Sequence, residues 1–148
     1  MFQQRSPTAR EHYYRDGVAD SQYQEVKDFE LTQIRDACAD FINDQGWTKR
    51  IVKLTAVVCT KRHHTRFYPD KKGDMQANAN NNCKPRTLVE RSVTHPYFTD
   101  FHLQSHNGLK GTAKPAHYFV LANEMEMSTK DLQYLVRISR ISRCFAPF

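Results

Sequence analysis

Two short stretches hold most of the residues that could do chemistry. In 60-TKRHHTRF-67, Lys61, Arg62, His63, His64 and Arg66 crowd into six positions. In 105-SHNGLKGTAKP-115, His106, Lys110 and Lys114 surround Gly108 and Gly111. Permanent positive charges this close repel unless counter-charge sits among them. Phosphate supplies it, held by arginine through a bidentate fork and by lysine as a point charge. The glycines let backbone N–H groups approach the same anion. Either stretch alone is equally compatible with a solvated charged loop, and it is the pair that points to a polyanion.

These residues need a frame. The segment 21–42 repeats apolar residues at helical spacing through Tyr23, Val26, Leu31, Ile34, Ala37, Cys38 and Phe41, which predicts one helix. Ser21 with Gln24 reads as its capping box, Asp20 adds charge at its positive end, and Gly46 lies past its close. Glu30 falls inside the apolar stripe and needs a partner if buried. Next, 51-IVKLTAVVC-59 is apolar on both alternating faces apart from Lys53 and Thr55, as a central strand covered on two sides reads. A weaker first strand is 11-EHYYR-15, where Glu11 and His12 stand in place of apolar residues.

Strands are also expected at 87–93, 98–105 and 117–122, and a last helix from Ser128, with Asp131 closing its capping box. Between them, 69-PDKKGDMQANANNNCKPR-86 has almost nothing to bury and reads as an exposed loop. The order of elements gives an α/β fold. Its ligands are expected beyond the carboxyl ends of the strands, where the first basic stretch lies.

At 148 residues the chain suits one domain. Lys and Arg number 22 against 16 Asp and Glu, for a net charge of +6, which fits a polyanionic partner. Mean hydropathy is low at −0.74. The four cysteines (Cys38, Cys59, Cys83, Cys144) are scattered without a C-x-x-C pair, so a reducing compartment is expected. With no apolar run of membrane length and no secretory leader, the cytoplasm is the expected compartment and the nucleus the alternative. The pair His102 and His106 has the spacing of metal ligands on a helix, but the segment reads as a strand without a third ligand. Cys59 with His63 is equally unconvincing as a zinc pair, and Cys59 reads as a core residue.

The runs 14-YRDGVADSQYQEV-26, 57-VVCTKRHHTRF-67, 94-THPYFTDFHLQSHNGLKGTAKPAHYFVL-121 and 130-KDLQYL-135 resemble the PIWI domain of eukaryotic Argonaute proteins. The resemblance covers residues 14–135, with a divergent lead-in over 1–13 and a divergent tail over 136–148. It implies a ribonuclease H-like mixed sheet with flanking helices. It also implies contacts to guide-strand phosphates by Lys61, Arg62, His64 and Arg66, joined by His106, Lys110, Thr112 and Lys114. Lys114 stands where the family usually has arginine, which keeps the charge and loses the fork. The implied partners are a small guide RNA and its target RNA. A further partner, the rest of an Argonaute or another protein, is expected at the exposed sheet edge.

Family slicers cut RNA with Mg²⁺ held by an Asp, Glu, Asp and His or Asp set, and the match assigns only Asp16 to it. One carboxylate cannot clamp two ions about 3.5–4 Å apart. Neither tight Mg²⁺ binding nor nuclease activity is therefore expected of this chain alone. The alternatives are a slicer active only within a longer or complemented chain, and a truncated product with no activity of its own.

Overall fold

The structure, a computed structural model, describes residues 8–46, 51–70, 77–78, 80–107 and 111–138. Five strands form one mixed sheet: β1 (Ala9–Asp16), β2 (Val52–Thr60), β3 (Leu88–Val89), β4 (Asp100–Leu103) and β5 (Ala116–Asn123), in the order β1-β2-β5-β4-β3. β1 and β2 are parallel and joined by a helical crossover, while β5 runs antiparallel to both β2 and β4.

β2 is an interior strand between β1 and β5, buried from Leu54 to Cys59. Its alternating side chains serve two cores. Leu54, Ala56 and Val58 meet the crossover through Leu31, Val26 and Val18. Val57 and Cys59 meet Phe101, Leu103, Tyr118, Leu132 and Val136 on the other face. That second layer is closed by α2 (Thr129–Ile138), whereas α1 (Leu31–Asp44) belongs to the crossover. The start of α2 is as expected: Ser128 Oγ accepts from the Asp131 N–H at 3.2 Å and donates to its carboxylate at 2.7 Å.

The crossover is not one regular helix. A 3-10 turn (Asp20–Gln22), an α turn (Tyr23–Glu25) and a π turn (Val26–Glu30) precede α1 (Leu31–Asp44). Val26 and Leu31 would lie about 140° apart on a regular helix. The π turn brings both onto the sheet, where each is buried. The start also differs from the expected capping box. The Ala19 N–H donates to Gln22 Oε1 at 3.2 Å, and Gln24 instead donates to Asp28. Past the π turn the stripe shifts, so Ile42 is buried and Phe41 is exposed. Gly46 closes the helix at φ +68° with its N–H on the Asn43 carbonyl.

Glu30 does find its partners, and they come from β1. The Tyr13 hydroxyl donates to it at 2.6 Å and the Arg15 guanidinium at 3.0 Å. β1 extends beyond the expected 11–15 because every residue from Ala9 to Asp16 pairs with β2. Backbone pairing there outweighs weak side-chain propensity. The expected strand at 87–93 contracts to Leu88–Val89, since Ser92 takes φ +69° and breaks the ladder.

Candidate nucleic-acid interface

One end of the sheet collects the residues singled out by type and spacing. Asp16 stands beside Cys59, Thr60 beside His117, and Leu103 beside both Ala116 and Leu88. The carboxyl ends of β1, β2 and β4 therefore share that end with the amino ends of β5 and β3. Segments 61–67, 84–87, 104–107 and 111–115 all leave or enter there. Sequence distance disappears in this arrangement because antiparallel pairing returns the chain to the same end.

Within the first segment Arg62 and His64 are exposed, and Lys61 and Arg66 are half-buried. Arg66 Nη1 donates to the carbonyls of His63 and Thr65 at 2.9 and 2.7 Å, so it also shapes its own turn. In the second segment Thr112 and Lys114 are exposed. Lys110 lies outside the described residues. His106 is half-buried, with Nδ1 3.2 Å from Ser105 Oγ and its carbonyl accepting from Gln104 Nε2 at 2.7 Å. Burial lowers its pKa, and the Lys61 ammonium lowers it further. That influence couples the two basic segments electrostatically.

Asp16 ends β1, with Gly17 at φ +74° turning the chain away. It shares a sheet face with Tyr14, whose ring joins the core of Cys59 and Tyr118. The donor chemistry around it does not fit a pair of divalent ions. Burial, reinforced by the Asp16 charge, pushes the Cys59 thiol up to about 11 and the Tyr118 phenol higher still. Both groups hold their protons and offer no anionic ligand. Among the described residues no three His, Cys, Asp or Glu side chains gather as a metal site.

Several residues at this end were not foreseen. The 69–86 stretch, expected to be exposed with almost nothing to bury, departs from that reading in its second half. Asn82 and Cys83 are buried. Asn82 Nδ2 donates to the Gly111 carbonyl at 2.9 Å, and its Oδ1 accepts from the Ala113 N–H at 3.0 Å. Asn78 in turn accepts from the Asn80 and Asn82 N–H groups and donates to Asn107. An asparagine-rich run looks like a loop because Asn107, Gly111 and Ala113 lie far off in sequence. Lys84 and Arg86 are exposed at the same sheet end and enlarge its positive charge.

The other omission is a group of histidines. His102 and His117 stack with centroids 4.4 Å apart, and the His63 ring meets them edge-on at 5.4 and 6.3 Å. His117 Nε2 lies 2.7 Å from the Asp100 carboxylate, whose other oxygen accepts from the His95 N–H at 2.8 Å. His102 is 4% exposed, and burial with its histidine neighbours pushes its pKa down to about 4. The signal in the sequence was alternation in 98–105, which puts Asp100 and His102 on one face.

The arrangement has close counterparts among solved structures. The Kluyveromyces polysporus Argonaute with a guide RNA superposes with a TM-score of 0.80 at 29% identity, over 90% of this chain and 17% of that one. The C-terminal lobe of a budding yeast Argonaute gives 0.78 at 30% identity, over 90% and 28%. The mixed sheet with helices on both faces is thus a ribonuclease H-like domain of the Argonaute type. The Piwi domain profile matches residues 2–144, and the chain belongs to the Piwi domain family. It is 40% identical over 123 residues to Protein argonaute 12 of Oryza sativa subsp. japonica, and 38% identical over 124 residues to Protein argonaute 5 of Arabidopsis thaliana. Each match covers 83% of this chain but only 11% and 12% of the respective relative, so the chain corresponds to a part of an Argonaute Piwi domain.

Proposed function

We propose that this chain is the part of an Argonaute Piwi domain that holds guide-strand RNA phosphates, with a role in RNA silencing. The observation that supports it is the meeting of two basic segments at one sheet end, Lys61, Arg62, His64 and Arg66 from one and His106, Thr112 and Lys114 from the other. Lys110 belongs to the same assignment by sequence. Such contacts grip the backbone and read no bases, so they serve any guide. The guide would pair with a target RNA beyond this chain. The remainder of an Argonaute would pair along the outer edge of β1, which has no strand beside it among the described residues. The cytoplasm is the proposed compartment; among the described residues no helix is long and apolar enough to cross a membrane.

The test is the salt dependence of binding to a single-stranded RNA. Affinity should fall linearly on a log–log plot with a slope of about −0.7 per phosphate neutralised, and Lys61→Ala should reduce the count by about one. Affinity that stays flat as salt rises would falsify the phosphate reading.

A further inference from the structure

His63 and His64 are neighbours with opposite fates. His64 is exposed with the phosphate candidates, whereas His63 turns inward and packs on His102 and His117. Its Nε2 lies 3.0 Å from the carbonyl oxygen of Pro115, 52 positions away and next to Lys114. A carbonyl only accepts, so Nε2 carries the proton. Nδ1 is then the bare nitrogen, and it is buried without a hydrogen-bond partner. A second proton on that ring would have no acceptor.

We propose that His63 is a positioning residue, a latch that sets the distance between the two basic segments so that one RNA backbone meets both. The inference rests on the phosphate-binding reading above. Three features carry it. The bond joins the segments directly, one residue from Lys114 on one side and one from Arg62 on the other. Its ring is fixed by contacts from two different strands, β4 through His102 and β5 through His117. The receiving segment is itself held by Asn82, which grips Gly111 and Ala113. A loosened latch would leave each segment folded but let their charges drift apart, and phosphate spacing along a strand is fixed.

Burial disfavours a charged ring at this site more than the Pro115 carbonyl favours one. The charged and titratable groups facing it are His64 and Arg66 on its own segment, His102 with Asp100 on β4, and His117 on β5. Asp100 is already engaged by His117 and by the His95 N–H. Acid would place a second N–H against no acceptor, so the latch is expected to open as His63 protonates.

Two variants of the 148-residue chain separate this role from simple packing. His63→Gln keeps a donor near the Nε2 position and removes the titration, whereas His63→Phe keeps the ring and removes the donor. With a labelled oligouridylate, His63→Phe should bind about three- to tenfold more weakly near neutral pH, the loss of one hydrogen bond. His63→Gln should match the unmodified chain there and lose less affinity than it does near pH 5.5. Imidazole nitrogen spectra of the RNA-free chain should show the Nε2–H tautomer for His63. The Nδ1–H tautomer, or wild-type affinity in His63→Phe, overturns the latch. If the unmodified chain shows no salt-dependent RNA binding, the phosphate reading fails instead, and the spectrum still decides whether the bond exists.

Discussion

Glu30 shows how a single side chain ties the crossover to the sheet. It accepts from Tyr13 and Arg15 on β1, and the Tyr13 hydrogen bond is the main cause lowering its pKa. A depressed carboxylate contributes stability that is present above its ordinary value of 4.5 and is lost as pH falls through the folded value. Arg15 is 43% exposed, so the contribution is modest. Glu30→Ala should lower stability by about 1 kcal/mol at neutral pH and by less in acid, read from urea midpoints. Arg86 is the opposite case, a non-glycine residue at φ +75°. Relief of that conformation in Arg86→Gly should raise stability by about 1 kcal/mol, while the salt slope of RNA binding falls because a charge at the sheet end is gone. Unchanged or lowered stability would show that the neighbourhood already compensates the backbone.

At the scale of elements, β4 and β5 bring His102, His117 and Asp100 together, and this makes stability depend on pH. The unfolded chain protonates His102 at about 6.5, whereas the folded chain resists until about 4. Between those values the unfolded state binds more protons, so stability is full above 6.5 and drains as pH falls towards 4. At 1.36 kcal/mol per unit the loss amounts to roughly 3 kcal/mol. His102→Phe should flatten that slope, and thermal midpoints measured across the range check it. An equally steep slope in the variant would move the effect to other groups. The same strands explain the basic interface. β1, β2 and β4 run one way with β5 reversed between β2 and β4, which carries residues 45 positions apart to one sheet end, as with Lys61 and His106.

For the molecule as a whole, two cores sandwich β2, but the outer edge of β1 has no strand beside it among the described residues. Unpaired backbone donors and acceptors there invite pairing with another strand. The cores are nonetheless closed on both faces, so urea unfolding followed by near-UV circular dichroism should show one cooperative transition. A featureless slope would mean that the sheet needs the strand it lacks. Much of this was legible in residue order. A run apolar on both faces gave β2, the Ser128–Asp131 pair gave the start of α2, and the two basic motifs carried the family. What determined these is local: periodicity, caps and charge spacing need no distant partner.

Tertiary structure alone decided the rest. It placed the π turn that aligns Val26 with Leu31, the burial of Asn82 within a loop-like run, and the turn of His63 inward while His64 faces out. Each depends on a group tens of residues away, and the free energy that selects it arises only when the sheet brings the two together.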